Sequence, residues 1–272
     1  MDKKKNSLLI GIILLISSAT IALAYADKGH SIFKIGADRS KSDTFFGEIS
    51  EYASGNAELD VGSIKEIEVN WKSGDIILNE YDGDKIKIEE KSGKELNDNE
   101  RLKYLSKNGK LIVRYDEYIN NETNNTMINK KLTIYIPKTN RHLINEVKVN
   151  TINSDIKVYT NNVDVIKVDS INGNIDICGR YKNMEVDNAS GNVGVNLLNS
   201  PKTIGINILN GNLRLKIPEN KGFLVENDIK NGNFECEFPL TMKGNYAIYK
   251  KAKMNIMIST INGDVNIDKV KM

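Results

Sequence analysis

Residues 166–177 read IKVDSINGNIDI, and residues 256–267 read IMISTINGDVNI. Both run through the same cassette: alternating apolar residues, a small polar one, Asn-Gly-Asn or Asn-Gly-Asp, then two more alternating apolar residues. On this frame the inward candidates are Ile166, Val168, Ile175 and Ile177 in one copy and Ile256, Ile258, Val265 and Ile267 in the other. Further copies turn at Gly74, Ser154, Gly191, Gly211 and Gly232. An eighth candidate reads Leu102, Tyr104, Ser106, Asn108-Gly109-Lys110, Leu111, Val113. Turn positions 154, 173, 191, 211 and 232 are 19, 18, 20 and 21 residues apart, and the next, at 263, is 31 further on. Recurrence at a near-fixed interval is the signature of a stacked repeat architecture.

Apolar residues at every second position mark strands with one buried face, and no segment of the cassette carries helical spacing. The phase slips by one at each glycine, which is what a corner does when the same face must stay inward. Asn-Gly also makes two-residue hairpins. A meander would alternate in direction, whereas this asymmetric cassette returns in the same direction each time. The pattern therefore predicts an all-β fold: a parallel β-solenoid of the single-stranded β-helix type over residues 61–268, with rungs of about 20 residues stacked at roughly 4.8 Å and coiled right-handed.

The corner glycines Gly74, Gly173, Gly191, Gly211, Gly232 and Gly263 are predicted to need positive φ, and Ser154, which departs from the pattern, a wider or strained corner. Asn and Asp beside them are expected to cap the turns. Asn153, Asn172, Asn210, Asn231 and Asn262 could stack as an amide ladder inside the coil. The segment before residue 61 and the stretch from Phe238 to Lys253 are candidate caps, and the polar run Glu117 to Lys131 reads as a projecting loop.

Lys3-Lys4-Lys5 precede an uncharged stretch, Ser7 to Ala26, long enough to span a bilayer. The lysines would hold the N-terminus inside and place the rest outside. Ala24-Tyr25-Ala26 also fits a signal-peptidase site, giving secretion instead of anchoring. Residues 1–26 are thus an anchor or signal segment and 27–60 a stalk and N-terminal cap. The repeat domain is expected on the extracellular side of the cell membrane. Basic and acidic residues number 38 and 36, a net charge of +2 without a basic patch, which argues against nucleic acid.

Cys178 falls at an outward position and Cys236 at an inward one three coils away, so two free thiols are expected. His30 and His142 both lie outside the cassette, which leaves a zinc site or a serine triad without support. An outward column holds Asn70, Asn150, Asp169, Asp187, Asn207, Glu226 and Ser259. Asp169 and Asp187 fall on adjacent coils at about 5 Å, the carboxylate separation of a retaining glycosidase, and the same pair could hold Ca²⁺ weakly. Their default role is a solvated polar face. The residues after each corner, among them Asp75, Asp155 and Asp264, lack the spacing of calcium-binding nonapeptides and read as turn caps. Tyr159 and Tyr181 are outward candidates for stacking on sugar rings. No cofactor, metal site or catalytic residue is assigned.

The lysine-led N-terminus, Val69 through Ile76 (VNWKSGDI), Leu132 through Pro137 (LTIYIP) and the serial Asn-Gly-Asn units together resemble the bacterial putative-adhesin family, a β-strand-repeat domain of unknown function on envelope proteins. The similarity covers about residues 60 to 268. It implies a surface-exposed solenoid, with adhesion or envelope-stress sensing as its role, and brings no catalytic residues. Three functions follow as expectations: a non-enzymatic surface module binding a cell-wall glycan or a surface protein, a membrane-anchored regulatory protein, and a glycan-cleaving enzyme using Asp169 and Asp187.

Overall fold

The computed structural model describes residues 49–115, 128, 130–138, 144–161, 163–243 and 246–270. The N-terminal apolar segment, both histidines and most of the 117–131 run lie outside the described residues. Among the described residues no helix is long and apolar enough to cross a membrane. From Tyr52 onward the chain forms one unit built of two sheets, of 12 and 10 strands.

Each repeat contributes the strand before its corner to the first sheet and the strand after it to the second. Val163–Asn172 turns at Gly173 into Ile175–Gly179, and Asn183–Ser190 turns at Gly191 into Val193–Leu197. Neighbouring repeats pair parallel and in register: Ile166 with Met184, Val168 with Val186, Ile175 with Val193. Equivalent side chains therefore lie over one another, and the alternating Ile, Val and Leu of both sheets meet in one core running from Val61 to Ile267. Each fully buried member is worth roughly 1.5–3 kcal/mol.

The order of stacking departs from the order of sequence at both ends. The strand of the Gly263 repeat, Met254–Asn262, pairs on one side with Thr203–Asn210 and on the other with Gly222–Asn231. The last repeat is therefore inserted between the Gly211 and Gly232 coils. The 31-residue interval is the length the chain uses to leave the outermost coil, form two antiparallel strands, Thr241–Lys243 and Tyr246–Lys250, and return inside it. At the other end Lys110–Tyr115 and Lys130–Pro137 form a coil outside the Gly74 coil, so the Ser154 repeat pairs with the Gly74 repeat directly. The eighth candidate cassette is not a corner. Lys103–Lys107 and Lys110–Tyr115 run antiparallel, with Asn108 (φ 53°) and Gly109 (φ 80°) forming the hairpin turn.

Antiparallel strands line the outer coil on both sheets at the N-terminal end and on the first sheet at the other end, where the short parallel strand Phe234–Cys236 is the edge of the second sheet. The N-terminal end carries a buried charge. Lys130, the last part of the presumed loop, is in a strand, its side chain fully buried; its ammonium donates to Glu90 Oε1 at 2.8 Å and to the Glu100 carbonyl and lies 3.6 Å from the centre of the Tyr115 ring. Burial pushes its pKa down, opposed by Glu90. At the far end Phe223, Phe238 and Tyr249 pack ring to ring, with centroids 4.9–5.3 Å apart.

Candidate functional site

The corners form two ladders, both on the outside. Before the glycine, Asn172 Nδ2 donates to Asn153 Oδ1 at 2.9 Å, Asn262 Nδ2 to Asn210 Oδ1 at 2.7 Å and Asn231 Nδ2 to Asn262 Oδ1 at 2.9 Å. These asparagines are exposed, so the amide ladder expected inside the coil runs along its outer edge. After the glycine, each side chain caps the next coil, not its own turn. The amide N–H of Asn174 donates to Asp155 Oδ1, that of Asn192 to Asn174 Oδ1, and that of Asn212 to Asn192 Oδ1, at 2.8–3.0 Å.

Gly173 has φ 131°, and a Cβ there would stand 1.9 Å from the Ser154 carbonyl oxygen. Positive φ and lack of room both demand glycine. Ser154 is not in the left-handed region, and its corner is neither wide nor strained: the side chain turns inward, 4% exposed, with Oγ 2.5 Å from Thr151 Oγ1. Gly232 likewise lacks positive φ, although a Cβ would meet the Gly263 carbonyl at 2.0 Å.

The outer face of the first sheet brings Asp169 opposite Asp187 and Asn207 beyond it. Asp187 is 7% exposed and accepts from Asn207 Nδ2 at 2.6 Å. Burial first, then the Asp169 and Glu185 charges, pushes its pKa to about 7. Asp169 is also raised by burial, with Lys148 at 3.8 Å opposing. The two carboxyls stand on directly paired residues of adjacent strands. Glu226 does not belong to this column: it pairs with Met257, and Asp228 stands opposite Ser259. Among the described residues no group of three or more His, Cys, Asp or Glu is placed to hold a metal.

A family model, Toastrack DUF4097, matches the chain twice, over residues 64–179 and 144–268. The chain belongs to the Toastrack family. The two matches overlap across 144–179, as translated copies of one repeat must, and the resemblance read from the sequence is borne out. Among solved structures the chain is similar to a putative cell adhesion protein from Clostridium sporogenes, at 14% identity and TM-score 0.48 over 80% of this chain and all of that one. A putative adhesin from Bacteroides fragilis matches at 13% identity and TM-score 0.41, covering 80% of this chain and 97% of the other. A putative lipid binding protein from Parabacteroides distasonis matches over the same shares at 13% and 0.31. A search of curated protein sequences finds no match.

The outer face of the second sheet in this Toastrack chain carries the remaining sequence candidates. Tyr159 is 38% exposed, and its phenol donates to Asp176 Oδ2 at 2.8 Å. Burial and that bond hold its pKa up at about 12. Tyr181 is not outward. It is 1% exposed, its hydroxyl 3.1 Å from Thr160 Oγ1, because it continues the inward parity of Ile175, Ile177 and Gly179 past the end of their strand. Cys178 and Cys236 are both free thiols, and the inserted repeat separates them by four coils instead of three. Sequence reasoning missed Tyr81 and Tyr135, whose rings meet edge to face with centroids 5.8 Å apart. Tyr135 sits in the LTIYIP element at an outward parity, which was the available signal.

Proposed function

We propose that this chain is a non-enzymatic binding scaffold on the cell surface, held by its N-terminal segment, whose flat sheet faces engage a cell-wall glycan. The observation that carries this reading is the in-register stacking: outward positions fall into columns that repeat at the strand spacing, with Asp169, Asp187 and Asn207 in one of them, a geometry suited to a ligand that is itself a repeat. Membership of the Toastrack family supports a surface role. The paired carboxyls Asp169 and Asp187 speak against hydrolysis, since Asp187 is 7% exposed and held by Asn207.

Incubating the full-length chain with purified cell wall tests this. Saturable retention without release of new reducing ends is expected. Failure of the wall to retain the chain would overturn binding. Release of reducing ends that disappears in an Asp169→Asn, Asp187→Asn variant would restore the enzymatic reading.

A further inference from the structure

On the second sheet Tyr135, Asn79 and Tyr159 stand directly opposite one another on three adjacent parallel strands. Their sequence neighbours Ile134, Leu78 and Val158 are fully buried, so the alternation of the strands turns all three outward. Two strand spacings separate the tyrosines, about 10 Å.

Both rings are braced. The Tyr159 phenol is bonded to Asp176, and Tyr135 packs on the edge of Tyr81 with its hydroxyl 3.5 Å from Glu89. Bracing leaves little rotamer freedom to lose when a ligand lands. The amide of Asn79, between them, has no hydrogen-bond partner among the described residues. Next along the neighbouring outward column comes Gly194, opposite Asp176, which raises no side chain above the sheet.

We propose that Tyr135, Asn79 and Tyr159 form a platform for a β-1,4-linked glycan lying across the strands, with alternate sugar rings on the two tyrosines. The apolar C–H face of a pyranose packs on an aromatic ring, and the tyrosine separation is close to the repeat of a β-1,4-linked disaccharide. Asn79 offers both a donor and an acceptor to the hydroxyls of the intervening sugar. Beside the platform Lys87 is paired with Glu58 at 2.9 Å, and the Asp176 carboxylate accepts from the Tyr159 phenol. The platform rests on the reading of the chain as a glycan-binding surface protein and gives that reading its site.

Titration of the full-length chain with chitohexaose and cellohexaose, followed calorimetrically, is the test. Binding of at least one is expected, weakened roughly tenfold by Tyr159→Ala and by Tyr135→Ala, and weakened less by Tyr159→Phe, which keeps the ring but loses the brace to Asp176. Tyr246→Ala, at an exposed tyrosine on the other sheet, should bind as the unaltered chain does. Because Tyr135 also packs on Tyr81, the Tyr159→Ala variant with an unchanged thermal melt is the decisive one. No binding of either hexasaccharide, or equal binding by the Tyr159→Ala variant, would overturn the platform. If the wall retains the chain and the Tyr135→Ala, Tyr159→Ala double variant equally, the platform fails while the surface-binding reading stands. If the wall retains neither but a hexasaccharide binds through the tyrosines, the platform stands and the cell-wall assignment falls.

Discussion

Asn108-Gly109 and Asn172-Gly173 are the same dipeptide used in opposite ways. At the first, both residues have positive φ and the chain doubles back on itself, Lys103–Lys107 against Lys110–Tyr115. At the second, only the glycine does, and the chain passes from one sheet to the other to continue the stack. Crowding separates them. A Cβ on Gly109 would find its nearest neighbour, the Ser63 carbonyl, at 3.4 Å, whereas one on Gly173 would meet Ser154 O at 1.9 Å. A hairpin turn lies open at the end of the molecule, and a corner is packed on the corner beneath it. The difference extends to the regions: the middle coils repeat by translation, and the two ends break the order and add antiparallel strands.

The largest effect is expected at the N-terminal end. Lys130→Ala leaves Glu90 buried without its cation, at a cost of about 3–5 kcal/mol in urea unfolding. Hydrogen exchange should quicken first in 103–115 and 130–137 and leave the middle coils protected. Gly173→Ala should cost roughly 3 kcal/mol, combining the left-handed penalty with displacement of the Ser154 carbonyl, and Gly109→Ala only about 1 kcal/mol. Equal costs would erase the distinction between corner and hairpin.

The outer face of the middle coils should respond to pH. The folded pKa of Asp187, about 7, lies above its ordinary value of 3.8, so its contribution is fully present below pH 3.8 and is lost as pH rises through 7. Unfolding free energy should fall by on the order of 2 kcal/mol between pH 5 and 8, and Asp187→Asn should flatten that slope. Smallest is the ladder. Asn262 bonds the coils on both sides, and Asn262→Ala should cost about 1 kcal/mol.

The repeat was legible because strand parity and corner spacing are local. Ile166, Val168, Ile175 and Ile177 could be assigned inward, and Cys178 and Cys236 to opposite faces, without coordinates. Stacking order is not local: the Gly263 cassette reads the same whether it lies beyond the Gly232 coil or beneath it, and only the long interval before it hinted at a detour. Lys130 looked like the end of a polar loop, since nothing in the sequence announces Glu90 and Tyr115 as its partners. Tyr181 was misplaced although it keeps the parity of Ile175 and Ile177, because the alternation runs on past the end of the strand at Gly179. In the candidate site, Asp169 and Asp187 were legible as neighbours, but the burial of Asp187 and its hydrogen bond were not, because the bond comes from Asn207 in the next coil. Tyr135 and Tyr159 become a pair only once Asp75–Tyr81 lies between their strands, although all three segments are far apart in sequence.

Cross-linking tests the inserted coil most directly. In a chain with Cys178 and Cys236 replaced by alanine, Asn207→Cys with Ser259→Cys places thiols on directly paired residues, and Asn207→Cys with Asp228→Cys places them two strands apart, about 10 Å. Oxidation should bridge the first pair rapidly and leave the second open. A bridge in the second pair and none in the first would mean that the coils stack in sequence order.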